Sequence, residues 1–338
     1  MTVIVLKSGG LWVHAPVAPT RECLRVLDEL GPVEFVVLPT TAVEHKVFFG
    51  PFAKQYPNAQ IYAAPGQWSF PLNLPLGWLG LFPRKVDGIL QDGDSNTPWS
   101  SEIEQAVLRA PLGIAPFVEV AFYHKATRTL LVTDVVIEIP TKPPLICCDN
   151  PKPLLVRAKE NKEDPNPDTE EVRVRGWQKI VLFALFIKPG SVCFNVGDFL
   201  RSDEPFTDCF TWQRSQWIES FSNLQRKLLV PPILQSLVLS KRPTLVKEWV
   251  AKICKWNFQQ IIPAHFTAPI RANSRDFERA FQFLDEEPAS PPKQSWLPKF
   301  GREKDGLVQL AEADMKLFSE VDEVLIRSGV VKGERSTT

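Results

Sequence analysis

The 338-residue chain has no net charge, because 39 lysines and arginines balance 39 aspartates and glutamates, and no basic block stands out. That balance excludes the electrostatic footprint of a nucleic-acid partner. Cysteine is scarce. The six residues (Cys23, Cys147, Cys148, Cys193, Cys209 and Cys254) show no Cys-x-x-Cys spacing, as expected of reduced thiols in an intracellular compartment. Only the adjacent pair Cys147-Cys148 is unusual, and it reads as part of a loop. No apolar run approaches the roughly 20 residues that a bilayer span needs. The longest, Ile180 to Ile187, reads as a buried core element. Repeats and low-complexity tracts are also missing. Met1 leads straight into a strand pattern, so the expectation is a soluble intracellular protein with neither a signal peptide nor a membrane span.

What is present is enough apolar sequence, 44%, for one large domain or two small ones. Its focus is Phe35-Val36-Val37-Leu38-Pro39-Thr40-Thr41-Ala42-Val43-Glu44-His45-Lys46-Val47-Phe48-Phe49-Gly50. The opening residues predict a strand buried on both faces that stops at Pro39, which has no N–H for a ladder. A polar turn carrying Glu44 and His45 follows. Phe48, Phe49 and Phe52 then begin a helical pattern, expected over Val47 to Gln55. Strand ends that open onto such turns are where α/β sheets place ligands.

The same grammar recurs twice. Thr129-Leu130-Leu131-Val132-Thr133-Asp134 ends an apolar run on Asp134, and Phe258-Gln259-Gln260-Ile261-Ile262-Pro263-Ala264-His265 places His265 just past a strand. Glu44, His45, Asp134 and His265 together offer two imidazoles and two carboxylates, a sensible donor set for one divalent zinc, iron or manganese ion.

This order of strand ends resembles the metallo-β-lactamase fold. The phrases Leu11-Trp12-Val13-His14-Ala15-Pro16-Val17-Ala18-Pro19-Thr20, Leu38-Pro39-Thr40 with Glu44-His45-Lys46, Gln67-Trp68-Ser69-Phe70-Pro71-Leu72-Asn73-Leu74-Pro75 and Ile262-Pro263-Ala264-His265-Phe266 are similar to an uncharacterised branch of it. That branch is a domain family of unknown function found in cyanobacteria, plants and algae. The resemblance covers about Met1 to Leu284. It implies an α/β fold of four layers, an αββα sandwich, and a plastid or a cyanobacterial cytoplasm as location. The superfamily's His-x-His-x-Asp-His motif falls on Thr40, Ala42, Glu44 and His45, and its next histidine would lie near Pro111-Leu112-Gly113-Ile114, where there is none. All ligands of one metal of a dinuclear pair are therefore replaced, while the other set persists with Glu44 in place of Asp. Asp134 matches the bridging Asp, and His265 the final histidine.

The remaining elements are expected as follows. Thr2 to Leu6 and Leu11 to His14 form a hairpin around Ser8-Gly9-Gly10. Thr20 caps a helix that Gly31 stops. His14 is either a core or a site-wall imidazole, and Thr133 is a further candidate for the surroundings of the ligands. Lys46, Lys125 and Arg128 are anion-binding candidates or solvated charges. The loop Gly66 to Pro98, with Trp68, Phe70, Trp78, Leu79 and Phe82, either lids the site or packs on the core. Residues 151–175 read as a solvated, charged insertion without a packed core. Trp212 to Leu239 reads as largely helical, broken at Pro231-Pro232. The domain is expected over 1–286, with a linker and C-terminal helical extension over 287–338.

Two functions of different class follow. One is a mononuclear metal-dependent hydrolase acting on a small-molecule substrate that the sequence does not specify. The other is a non-catalytic binding or scaffold protein on the same fold, in which Glu44 caps a helix and Asp134 and His265 form a plain hydrogen bond.

Overall fold

The structure is a computed structural model and describes residues 1–67, 86–113, 115–161, 164–194, 210–285, 308, 310–328 and 331. The chain is a mixed α/β protein that divides into two compact units. The first comprises Met1–Ile137, Val238–Glu287 and Ser328–Thr338, and the second Glu138–Leu237 and Pro288–Arg327. In chain order the early strands are β1 (Thr2–Val5), β2 (Leu11–His14), β3 (Val33–Leu38), β4 (Gln60–Ala63), β5 (Gly88–Ile89), β6 (Ile103–Pro111), β7 (Pro116–His124) and β8 (Thr129–Leu131). After these come β9 (Ile137–Glu138), β10 (Val192–Phe194), β11 (Phe210–Trp212), β12 (Leu228–Leu229), β13 (Gln260–Ile262) and β14 (Ile270–Arg271).

In the first unit, β1 and β2 form the expected hairpin, paired from Thr2 opposite His14 to Val5 opposite Leu11. Gly9 holds a φ of 87° at its turn, and the Leu6 N–H donates to the Gly10 carbonyl. A left-handed residue is needed there, and glycine adopts it without a Cβ clash. The Thr20 hydroxyl accepts the Cys23 N–H at 3.2 Å to start the helix Arg21–Leu30. The chain then returns as β3, parallel to β2, and β4 and β5 add in parallel on its far side. The resulting mixed sheet runs β1-β2-β3-β4-β5, and a second mixed sheet runs β14-β13-β8-β7-β6.

Alternation along each strand sends side chains to two faces. On one face of the first sheet, Trp12, Phe35 and Val37 join Val118, Val120, Phe122 and Leu131 of the second sheet in one cluster, so the two sheets share a core. On the other face, Leu11, Val13, Val36 and Leu38 pack with Leu27 and with Phe49 and Phe52 of the short helix Phe49–Ala53. Val36, Val37 and Leu38 are wholly buried, as predicted for a strand covered on both faces. Trp249, on the helix Pro243–Ile253, donates its indole N–H to the Ala106 carbonyl of β6 and packs near Phe277 of the helix Ser274–Ala280. Between the edge strand β1 and the second sheet lies a cavity of about 310 Å³ lined by Thr2, Val5, His124, Thr127, Thr129 and Gln260, among others.

The helix predicted over Val47 to Gln55 is confined to Phe49–Ala53, and a separate turn of helix, Val43–Lys46, precedes it where a polar turn was expected. Pro51 explains the break, since it has no N–H to return to Val47, four residues back. Glu44 and His45 therefore stand on a helical turn, not in an open polar turn.

The second unit overturns the expectation that 151–175 builds no core. Lys152–Ala158 is a helix with Leu154 and Ala158 buried. It lies against the helix Glu170–Phe186, which Thr169 caps at Val172. The contact is close, because a Cβ added to Gly176 would fall 1.8 Å from the Leu154 carbonyl oxygen. Lys179, fully buried, donates to the Ala158 and Lys159 carbonyls at 3.0 and 2.8 Å. It thereby satisfies orphan acceptors at the end of the short helix. Its Nζ sits 5.1 Å from the Trp212 ring centre and 5.2 Å from that of Trp217. Burial pushes this amine down to about 7, against the opposing charge of Glu160. Trp212, expected in a helix, is in β11 paired to β10, and the helix begins at Arg214. A further helix spans Glu312–Arg327. Among the described residues no helix is long and apolar enough to cross a membrane.

Candidate metal centre

The three ligand-bearing stretches reach one place because of how the parallel strands align. β13 lies parallel to β8, with Ile262 opposite Leu131. Beyond the strands the pairing continues, the Val132 N–H donating to the Ile262 carbonyl and the Ala264 N–H to the Thr133 carbonyl. Asp134 and His265, each one residue further, are thus brought side by side. Past β3, the Thr40 hydroxyl accepts the Ala42 N–H at 3.1 Å and shapes the entry to the helix Val43–Lys46. Among the described residues no side chain caps that helix, and Glu44 stands within it and not at its cap.

Glu44, His45, Asp134 and His265 come together, with one donor atom from each lying within 4.8 Å of all the others. His45 Nε2 is 3.2 Å from both Asp134 carboxylate oxygens, and His265 Nε2 is 3.0 Å from Oδ1. The side chains of His45 and Asp134 are 9% and 13% exposed while that of His265 is 45% exposed, so the pair forms a floor and His265 an open wall. Glu44 is also exposed. Although burial opposes ionisation, hydrogen bonds from His265 and His45 hold the Asp134 carboxyl down at about 2. The hydrogen bond to Asp134 raises the pKa of His265. Ligand atoms about 2.0–2.2 Å from a tetrahedral ion lie about 3.4 Å apart. The imidazole–carboxylate spacings therefore suit a shared ion with adjustments of a few tenths of an ångström, and the whole set lies within 4.8 Å.

The other sequence candidates fall into different roles. Thr40 is buried, and its carbonyl accepts the Gln67 side-chain amide at 2.8 Å. Lys46 is 5% exposed and burial lowers its pKa, so it is no solvated charge. Lys125 and Arg128 are engaged elsewhere, Lys125 on the Ser100 carbonyl and Arg128 on Asn257. His14 is a core imidazole, stacked on Trp12 with ring centres 5.7 Å apart and edge-on to Phe122 at 5.6 Å. Among the described residues its buried Nε2 has no hydrogen-bond partner, and burial drives its pKa well down. Trp68, and with it the aromatic stretch of the Gly66 to Pro98 loop through Phe82, lies outside the described residues. Ala15 and Phe266, each following one of the histidines at the strand ends, hold left-handed φ values of 49° and 66°. Such conformations cost of order 1–3 kcal/mol and concentrate at sites that need them.

Sequence reasoning missed Glu119. This β7 residue is completely buried, and its carboxylate accepts both the backbone N–H and the hydroxyl of Thr133. Burial and the neighbouring Asp134 push the Glu119 carboxyl up to about 8. The signal was available. In Val118-Glu119-Val120-Ala121-Phe122 the neighbours are apolar at both parities, so both faces of the strand are covered and the acid has nowhere to go but inside.

No curated protein matches the chain. Residues 1–283 match the family model described as Domain of unknown function (DUF4336), so the chain belongs to that family.

Proposed function

We propose that the first unit is a metallo-β-lactamase-like αββα sandwich that holds one divalent ion at Glu44, His45, Asp134 and His265 and acts as a mononuclear metal-dependent hydrolase. The observation that carries this reading is the convergence of those four side chains, from three distant stretches of chain, within 4.8 Å. Support for the sandwich comes from the two sheets sharing one core while helices cover the outer face of the first and pack on β6 of the second. Support for one ion and not two comes from the first half of the motif. The Thr40 hydroxyl is engaged by the Ala42 N–H and Ala42 offers no donor, and neither can replace an imidazole for zinc. Two nitrogens with two carboxylates suit zinc, iron or manganese.

When bound, such an ion supplies Lewis acidity and lowers the pKa of water toward neutrality. The chain's own part is orientation. Asp134 lies between the two imidazoles, 3.0–3.2 Å from each Nε2, and an ion held there would take the place of the protons on those nitrogens. The exposed Glu44 and His265 leave one side open to a small molecule bearing a carbonyl or phosphoryl group. A second reading, a non-catalytic binding or scaffold protein, draws on the same contacts, since two imidazoles satisfy the Asp134 carboxylate without an ion. Elemental analysis of protein purified without chelator separates the two. The hydrolase reading expects about one equivalent of metal in the native protein and far less in His265→Ala. Metal absent from the native protein, or undiminished in that variant, refutes it in favour of the scaffold.

A further inference from the structure

We infer that Glu119 is the positioning residue that sets the spacing of the four donors, an inference that rests on reading those donors as a metal site. Every ligand-bearing stretch is reached from this one residue. Through its backbone, Glu119 bridges Thr40, flanked by hydrogen bonds from the Thr41 N–H to the Val118 carbonyl and from the Val120 N–H to the Pro39 carbonyl. The Thr41 hydroxyl adds two more ties to β7, donating to the Pro116 carbonyl and accepting the Val118 N–H. That loop leads directly to Glu44 and His45. Through its carboxylate, Glu119 holds the Thr133 N–H and hydroxyl together. Through the Thr133 carbonyl, which accepts the Ala264 N–H, the connection continues to the residue before His265.

A carboxyl is an expensive occupant for such a position. Val118, Val120 and Ala121 beside it are all buried, and a valine or leucine would fill the space without the cost of withdrawing an acid from water. A two-oxygen acceptor does what an alkyl group cannot. It fixes the Thr133 backbone and its hydroxyl at once, and so sets where Asp134 leaves the strand. Groups of this kind, which orient ligands without touching the ion, typically change metal affinity 10- to 100-fold when removed.

Cobalt(II) is the probe, because its visible bands report ligand geometry. Native protein, Glu119→Gln, Glu119→Leu and Thr133→Val are titrated with cobalt, and each is melted without metal. Gln keeps an oxygen for the Thr133 N–H and an amide for its hydroxyl, so this variant is expected to retain the native bands and an affinity within about threefold. Leu keeps neither, and is expected to bind at least about tenfold more weakly with displaced bands. If Glu119→Leu does not fold, Thr133→Val takes its place, losing only the hydroxyl contact and displacing the bands in a folded protein. Native bands and affinity in a folded Glu119→Leu, or in Thr133→Val where the leucine variant fails to fold, overturn the positioning role and leave the metal site standing. Absence of cobalt bands from the native protein overturns the metal reading itself, and the inference with it.

Discussion

Replacing Lys179 by methionine should remove a pH dependence from the second unit. The native amine is fully buried, tied to two carbonyls, and pushed down to about 7. An unfolded lysine titrates near 10.4. Above pH 7, therefore, the unfolded chain holds a proton that the native chain has released, and stability rises with pH toward the unfolded value. The slope is about 1.36 kcal/mol per pH unit for one proton, so this amine alone should add about 2.5 kcal/mol of stability between pH 7.5 and 9.5. Methionine keeps the length and apolar stem but cannot titrate. It also leaves the Ala158 and Lys159 carbonyls without this donor, at about 1–3 kcal/mol for each acceptor stranded. The variant should accordingly fall furthest below the native protein near pH 9.5, and the difference should shrink by about 2.5 kcal/mol toward pH 7.5. Urea unfolding followed by tryptophan fluorescence suits the test, since Trp212 and Trp217 face the amine. Parallel slopes for the two proteins from pH 7.5 to 9.5 would refute the assignment of a depressed, buried amine.

At the site, Asp134→Asn should abolish the rise in melting temperature that divalent metal gives the native protein, worth about 2.7 kcal/mol at a hundredfold excess over Kd; a metal-induced rise that survives in the variant would move the donors elsewhere. In the shared core, Phe122→Ala removes a completely buried ring that lies 4.9 Å from that of Trp12. The expected loss is about 3–5 kcal/mol in urea unfolding, and a loss below 1 kcal/mol would mean that the two sheets do not depend on this contact.

The sequence disclosed elements whose signals are local. Thr20 and Gly31 bound a helix because a hydroxyl and a missing Cβ act within one turn. Pro39 ends β3 because a missing N–H cannot be supplied from elsewhere. The four candidate donors stood out because each lies in the short stretch that follows an apolar run. What escaped were features whose reason lies far along the chain. Residues 152–158 look like solvated linker until Lys179, twenty residues away and hidden in an apolar helix, answers the carbonyls at their end. The apolar residues around Glu119 mark it as buried, but what it holds is hidden until Thr133 is set against it, a pairing that only the β7–β8 register provides.

The bonds joining β7 to Pro39, Thr40 and Thr41 have a mechanical consequence. They stitch the second sheet to the continuation of β3, so the stack of sheets is sewn shut at the end where the four donors lie. Along the edge strand β1 a cavity of about 310 Å³ lies beside Thr129 and Gln260, and the hairpin turn beyond it is tied across by the Lys7 N–H, which donates to the Glu102 carboxylate. Because β7 is bonded to residues 39–41, its displacement is passed directly to the turn that carries Glu44 and His45, and amide exchange is expected to be slower at Thr41, Val118 and Val120 than along the outer edge of β1.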